Sequence, residues 1–226
     1  MQFYPDDAPV PEILHTADFV IRPLTPAHVE LDYAALMGSQ EMLRLWSGSS
    51  WPSNDFSLAD NRKDLAWHWH EHQQRIAFTY TVLNPAEDTC LGCIYIKPIT
   101  DILADNEEWG TACTEPFGRL KTGSVEAPVL SNAEVAVSDS PTALIRFWAA
   151  QPYLSQKLDK ALLITLQQWF AAKWAFSDIY WHTRTENQQQ IALFQANGLQ
   201  KHSLVHMPGR GGEHFLFTIT SIFCTA

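Results

Sequence analysis

Several short stretches hold side chains whose type and spacing could do chemistry. His68-Trp-His-Glu-His72 sets two histidines one helical turn apart, the spacing of a metal-binding pair. The order is not His-Glu-x-x-His and no further ligand stands nearby in sequence, so a solvated helix face is the expected reading. Cys90-Leu-Gly-Cys93 has redox or zinc spacing, but it lies in an apolar alternation without a second pair, and small core or strand residues are expected there. Pro208-Gly-Arg-Gly-Gly212 looks like a phosphate cradle, yet it joins two strand-like runs and no helix follows it, which predicts a hairpin turn. Lys157 and Lys160 stand at the start of a helical pattern, where cations are electrostatically misplaced unless an anion sits beside them. His182, which titrates near neutrality, and Glu134 are strand-borne candidates for a general base, although each also reads as an ordinary exposed strand residue. Trp46 and Trp51 read equally as an aromatic wall for a ligand and as core.

The chain that must position these groups has 226 residues, enough to bury a core without disulfides or metal. With 46% hydrophobic and 18% charged residues it has the composition of a folded globular protein. Its net charge of -10 repels phosphate backbones, which argues against nucleic acid as a partner. No stretch reaches the roughly 18 uninterrupted apolar residues of a membrane helix; Ala161 to Phe176 is broken by Gln167, Gln168 and Lys173. The acidic, proline-containing start Met1 to Asp7 does not read as a targeting segment, and the four scattered cysteines do not read as a disulfide scaffold, so a reduced, cytoplasmic protein without membrane attachment is expected.

Residues 1–18 read as a leader, docked or loose, and residues 19–226 as a single domain. A strand Phe19 to Leu24 precedes a helix opened by Thr25-Pro26 and running to about Gly38. Residues 39–56 read as a loop, and Ser57-Leu-Ala-Asp60 as a capping box opening a helix to about Gln74. Alternating runs 75–83 and 90–96 predict an antiparallel hairpin. An acidic, irregular insertion at about 99–131 follows, then strands 132–137 and 143–149. An amphipathic helix from about Leu158 to Trp174 comes next, then strand 178–184, a helix from Asn187 to Asn197 capped by Gly198, and strands 201–207 and 213–220. The order predicts an α+β fold whose mixed, mostly antiparallel sheet contains one β-α-β crossover.

This order, together with three motifs, resembles the GNAT superfamily of acyl-CoA N-acyltransferases over about residues 19–220. Asn187-Gln-Gln-Gln-Ile-Ala-Leu-Phe-Gln-Ala-Asn-Gly-Leu199 is similar to the family's run of Asn, Ala, Tyr and Gly-Phe, with Phe194 where many members carry Tyr. Ile145-Arg-Phe-Trp-Ala149 is similar to the strand leading into the cofactor loop, and Cys90 to Ile96 to the central strand with its Gly. The resemblance implies that acetyl-CoA is the co-substrate. It places the pyrophosphate at Lys157, Leu158, Asp159 and Lys160, the arm along Trp148 and Ala149, and further cofactor contacts at Asn187 and Phe194. The family's loop has Arg or Gln, then Gly, then Gly or Ala where this chain has Leu154, Lys157 and Asp159, so the two lysines would replace part of a backbone cradle. It also implies an oxyanion contact from backbone N-H groups near Trp148, with Tyr153 or water protonating the thiolate in place of the missing Tyr.

The resulting reading is an acetyl-CoA-dependent N-acetyltransferase acting on an amine of a small molecule or peptide. The alternatives are a catalytically silent GNAT-fold binding or scaffold protein, and a metal-binding module resting on the histidines.

Overall fold

A computed structural model describes residues 3–102, 141–206 and 212–219. An eight-stranded sheet runs in the order β1-β2-β3-β4-β5-β6-β8-β7. Its strands are β1 (Leu14–His15), β2 (Val20–Pro23), β3 (Phe78–Leu83), β4 (Cys90–Pro98), β5 (Thr142–Ala149), β6 (Asp178–Arg184), β7 (Leu199–His206) and β8 (Glu213–Ile219). Among these, β5 and β6 pair in parallel and every other neighbouring pair is antiparallel. Helix α4 (Leu158–Lys173) makes the β5-α4-β6 crossover that the sequence predicts.

Each face of the sheet carries its own apolar layer. On one, Leu162, Leu163, Leu166, Trp169 and Phe170 of α4, with Phe194 of α5 (Gln188–Ala196), pack on Ile94, Ile96, Ile145, Phe147 and Trp181. On the other, α1 (Val29–Met37), α2 (Gln40–Ser47) and α3 (Leu58–Gln73) bring Val29, Leu36, Leu43, Trp46 and Leu65 onto Cys93 and Trp148. The capping box of α3 forms as expected, with Asp60 N donating to Ser57 Oγ at 3.2 Å and Ser57 N to Asp60 Oδ2 at 3.3 Å.

The structure bears on four sequence expectations. Of the two readings of residues 1–18, docked or loose, the described part takes the docked one: β1 is a strand of the sheet, and Tyr4 is fully buried against Phe78, Trp174 and Phe176. Residues 40–47 form α2, not a loop. Ile99–Ile102, expected to be irregular, forms a turn of 3-10 helix with Ile99 buried beside Leu144 and Leu216; residues 103–140, including the expected strand 132–137 and Glu134, lie outside the described residues, as does most of the expected 208–212 turn.

The fourth concerns His68 and His72 of α3, which turn toward the sheet instead of toward water, while His70 stays exposed. His72 sits edge-on to Phe78 and Tyr80 at 5.2 and 5.4 Å, and burial depresses its pKa to about 4. Burial also pushes the Asp64 carboxyl up to about 6. The unfolded chain binds a proton at His72 that the native chain refuses, so this residue costs stability as pH falls from about 6.5 to about 4. Asp64 has the opposite sign over about 4 to 6, which masks the effect in the wild type. His72→Phe should therefore gain on the wild type by up to about 3 kcal/mol between pH 6.5 and pH 4, read from urea unfolding at each pH. A constant difference would mean that His72 is charged in the native state.

Candidate active site

Strands β5 and β6 pair from Thr142 with Asp178 to Ile145 with Trp181 and no further. Beyond that point β6 continues on β8, and β5 on β4, so the two strands part. Ala150 N donates to Leu91 O at 2.7 Å, making these two a hydrogen-bonded pair of the β4-β5 ladder. Alternation along the register makes Cys93 and Trp148 the next such pair. The Trp148 N-H therefore serves the sheet, and the backbone groups facing the gap are those of Phe147 and Ala149. Of Trp148 and Ala149, the two residues the sequence reading names here, Ala149 is the one whose backbone faces the gap.

Polar side chains line the gap. The Phe147 carbonyl accepts from Gln190 Nε2 at 3.1 Å and from the Trp46 indole at 2.9 Å. Gln190 is fixed in turn, its oxygen accepting from Thr183 Oγ1 at 2.7 Å and Asn187 Nδ2 at 3.3 Å. Asn187 also caps α5, accepting from Gln190 N at 3.2 Å. Arg146 lies over the Trp46 ring at 3.8 Å and donates to the Trp46 carbonyl at 2.9 Å. That carbonyl belongs to the C-terminal turn of α2, which ends at Gly48 in a left-handed conformation (φ +73°). A side chain at Gly48 would stand in the place of the Arg184 guanidinium. Trp46 is thus a wall of this gap. Trp51 packs beside Phe56, away from it.

His182 is 1% exposed. Trp181, its neighbour, faces the α4 layer with Ile145, so His182 lies on the opposite face of the sheet, as Arg146 does. Its ring is 5.5 Å from that of His214, which faces it from β8. It is a buried strand residue, not the exposed one that alternation allowed. Phe194 is fully buried against Phe147, Trp181 and Phe217, a wholly aromatic contact set at the inner end of the gap. Tyr153 packs between the two apolar layers.

At the outer end, a 3-10 turn (Gln151–Gln156) leads into α4 through Lys157, whose φ of +60° is the left-handed conformation that a glycine adopts freely. No side chain caps α4. Leu158 is buried, while Lys157 and Lys160 are exposed. Asp159 turns back so that its Oδ1 accepts from Lys160 N at 2.8 Å. Lys157 thus holds the left-handed conformation without a glycine, while Leu154 lies in the 3-10 turn and Asp159 in the first turn of α4. Lys157→Gly should raise stability by about 1 kcal/mol, by removing the left-handed penalty of a β-carbon, as measured by urea unfolding. A loss would mean that the Lys157 side chain contributes contacts worth more than that strain.

The structure therefore groups Trp46, Phe147, Ala149, Asn187 and Phe194 around one gap, with His182 on the strand bordering it and Lys157 to Lys160 at its outer end. The sequence did not mark Gln190, Thr183 or Arg146. The run Gln188-Gln-Gln190 holds the signal, because its third member stands one helical turn after the cap and faces the sheet.

This architecture is the GNAT fold. No family model matches the chain, and no curated protein matches it in sequence. Among solved structures it is similar to RimL, a ribosomal L7/L12 alpha-N-protein acetyltransferase in complex with coenzyme A (TM-score 0.62, 15% identity, 92% of this chain and 98% of that one). It is similar to a putative ribosomal-protein-serine acetyltransferase from Vibrio cholerae (TM-score 0.61, 14% identity, 96% and 98%). A third is Mycobacterium smegmatis RimJ in complex with CoA-disulfide (TM-score 0.61, 14% identity, 92% and 84%). At these identities the likeness is one of fold.

Proposed function

We propose that the chain is an acetyl-CoA-dependent N-acetyltransferase whose acceptor is an amine, on a small molecule or at a peptide end. The observation that carries this reading is the parting of β5 and β6 just beyond Ile145 and Trp181, with the uncapped start of α4 at its outer end. The residues fit the cofactor. Backbone N-H groups at a helix start suit a pyrophosphate, and Lys157 and Lys160 add charge there. The Phe147 and Ala149 backbone offers an edge for the amides of an extended arm. One adjustment is needed, because Gln190 and Trp46 hold the Phe147 carbonyl. Solved structures of this fold described as acetyltransferases, two of them holding forms of coenzyme A, add support, and their ribosomal-protein substrates favour a peptide amine among the acceptors.

Bound acetyl-CoA supplies an activated thioester. The chain's own part is to fix it, polarise it and manage protons. The Ala149 N-H stabilises the developing oxyanion. His182 accepts the amine proton on the acceptor-side face, with Glu134 as the other candidate base. Phe194 has no hydroxyl to protonate the leaving thiolate, which leaves Tyr153 or water for that task. The net charge of -10 argues against nucleic acid as a partner, and no helix among the described residues is long and apolar enough to cross a membrane.

Calorimetric and thermal titration with acetyl-CoA and with desulfo-CoA tests the reading. Cofactor at about 100 times its dissociation constant should add roughly 2.7 kcal/mol to the folded state, and His182→Ala should then cost about 100-fold in turnover with binding kept. Lys157→Glu should weaken binding by about 10 to 100-fold. No shift at millimolar cofactor would favour the second reading, a silent GNAT-fold binding protein, for which the closure of the gap by Gln190 and Trp46 is the specific argument. Gln190→Ala separates the two: an enzyme that must displace this side chain should bind acetyl-CoA up to about tenfold tighter without it.

A further inference from the structure

Cys90 and Cys93 have no part in the gap. In a regular strand, residues three apart point to opposite faces and their side chains lie roughly 10 Å apart. β4 is not regular there. Cys90 pairs with Leu83 and Gly92 with Val82, so Leu91 is an extra residue, and Gly92 takes φ +156°. This bulge turns Cys90 round. Both sulfurs and a carboxylate oxygen of Asp32, from α1, lie within 4.8 Å of one another.

The three groups are 3%, 1% and 3% exposed for Cys90, Cys93 and Asp32. Cys93 Sγ is 3.2 Å from Asp32 Oδ1, and Cys90 Sγ is 3.6 Å from Thr81 Oγ1 and 3.5 Å from the Gly92 carbonyl. The second carboxylate oxygen of Asp32 accepts from Asn61 Nδ2 at 3.0 Å, and Asn61, 1% exposed, also donates to the Val29 carbonyl at 3.3 Å. The amide from α3 thus fixes the carboxylate with its free edge toward the sulfurs, as an outer partner orients a metal ligand. The cluster mixes two soft donors with one hard donor. That set suits zinc, whose bonds are about 2.3 Å to sulfur and about 2.0 to 2.2 Å to oxygen; the wider of the donor separations would close onto the ion.

We propose that Asp32, Cys90 and Cys93 form a buried site for a thiophilic divalent cation, zinc by preference, with Asn61 as the positioning residue. On binding, each thiol gives its proton to solvent, and so does the carboxyl if it carries one; no electron changes hands. The ion would join α1 to β4 at Cys93, the residue paired with Trp148, and so brace the sheet beside the gap.

The test is zinc content of the full chain purified without chelator from zinc-supplemented cells. About one ion per chain is expected, with a lower melting temperature after chelation and recovery on adding zinc alone. Cys93→Ser and Asp32→Asn should each lose the ion. Because these variants also remove buried groups from the core, the wild type is loaded with cobalt during growth as a second test, and a thiolate-to-cobalt charge-transfer band in the near ultraviolet is expected. Substoichiometric zinc with no cobalt band, or a melting temperature indifferent to zinc and chelator, overturns the proposal and leaves the trio a hydrogen-bonded cluster. Acetyl-CoA binding is unaffected by either result, so the two readings stand or fall separately.

Discussion

Lys97→Ala should lower the stability of the fold by about 3 to 5 kcal/mol, the usual cost of leaving one charge of a buried pair alone. Lys97 Nζ donates to Glu71 Oε1 at 2.8 Å, both side chains being only 8% exposed, and Glu71 Oε2 meets His68 Nδ1 at 3.1 Å. Burial alone would raise the Glu71 pKa. His68 and Lys97 outweigh it and hold the carboxyl below its ordinary range, so it is ionised at neutral pH. Removing the lysine leaves the buried carboxylate with His68 but without the ammonium that balances its charge. Replacing both partners, as Lys97→Met with Glu71→Gln, should restore most of the loss, because neither residue then brings a charge into the core. Urea unfolding of the two variants and the wild type gives the answer. A loss under about 1 kcal/mol for Lys97→Ala would show that water reaches the pair.

Gly92→Ala should cost about 3 kcal/mol or more and disturb the site as well as the fold. A β-carbon there would land on the Trp148 carbonyl oxygen and within 3.1 Å of Ala149 Cα, and Gly92 holds φ +156°. Both obstacles are backbone, so no rotamer change relieves them. β4 would have to move off β5 where Ala149 borders the gap. Unfolding midpoints and acetyl-CoA affinity should therefore fall together. A variant with normal stability would mean that the two strands separate without cost, and that the bulge is not rigid.

The larger elements were legible in the sequence because their signals were local. Ser57 and Asp60 announced α3, the leucine stripe announced α4, and Asn187 with Gly198 bounded α5. Helix α2 escaped because its eight residues bury only Leu43 and Trp46, too few to set a period. His68 and His72 of α3 were assigned to solvent because polarity was taken for exposure, whereas Glu71 gives the first a partner inside and Phe78 and Tyr80 the second. In the site, the family motif pointed to Asn187 and Phe194, while Gln190 was legible only as a polar residue one turn after the cap; its bond to the Phe147 carbonyl, 43 residues away, has no local signal. The same holds for Lys157: its type argued against a left-handed turn, and the connection into α4 imposes one. The convergence of Cys90 on Cys93 depends on a bulge, and a bulge is a property of two strands.

The strand order closes with β8 between β6 and β7. During synthesis from the N-terminus, β7 is complete before the strand that attaches it to the sheet exists. Until residues 213–219 leave the ribosome, β6 keeps one edge without its backbone partners, and Leu204 and Val205 of β7 lack the neighbours Phe215 and His214 that they face in the finished sheet. That nascent chain displays an unpaired sheet edge beside a loose apolar strand, the combination that captures other chains by edge-to-edge pairing. Among the described residues, the last strand to be made is thus the one that joins β7 to the rest of the sheet.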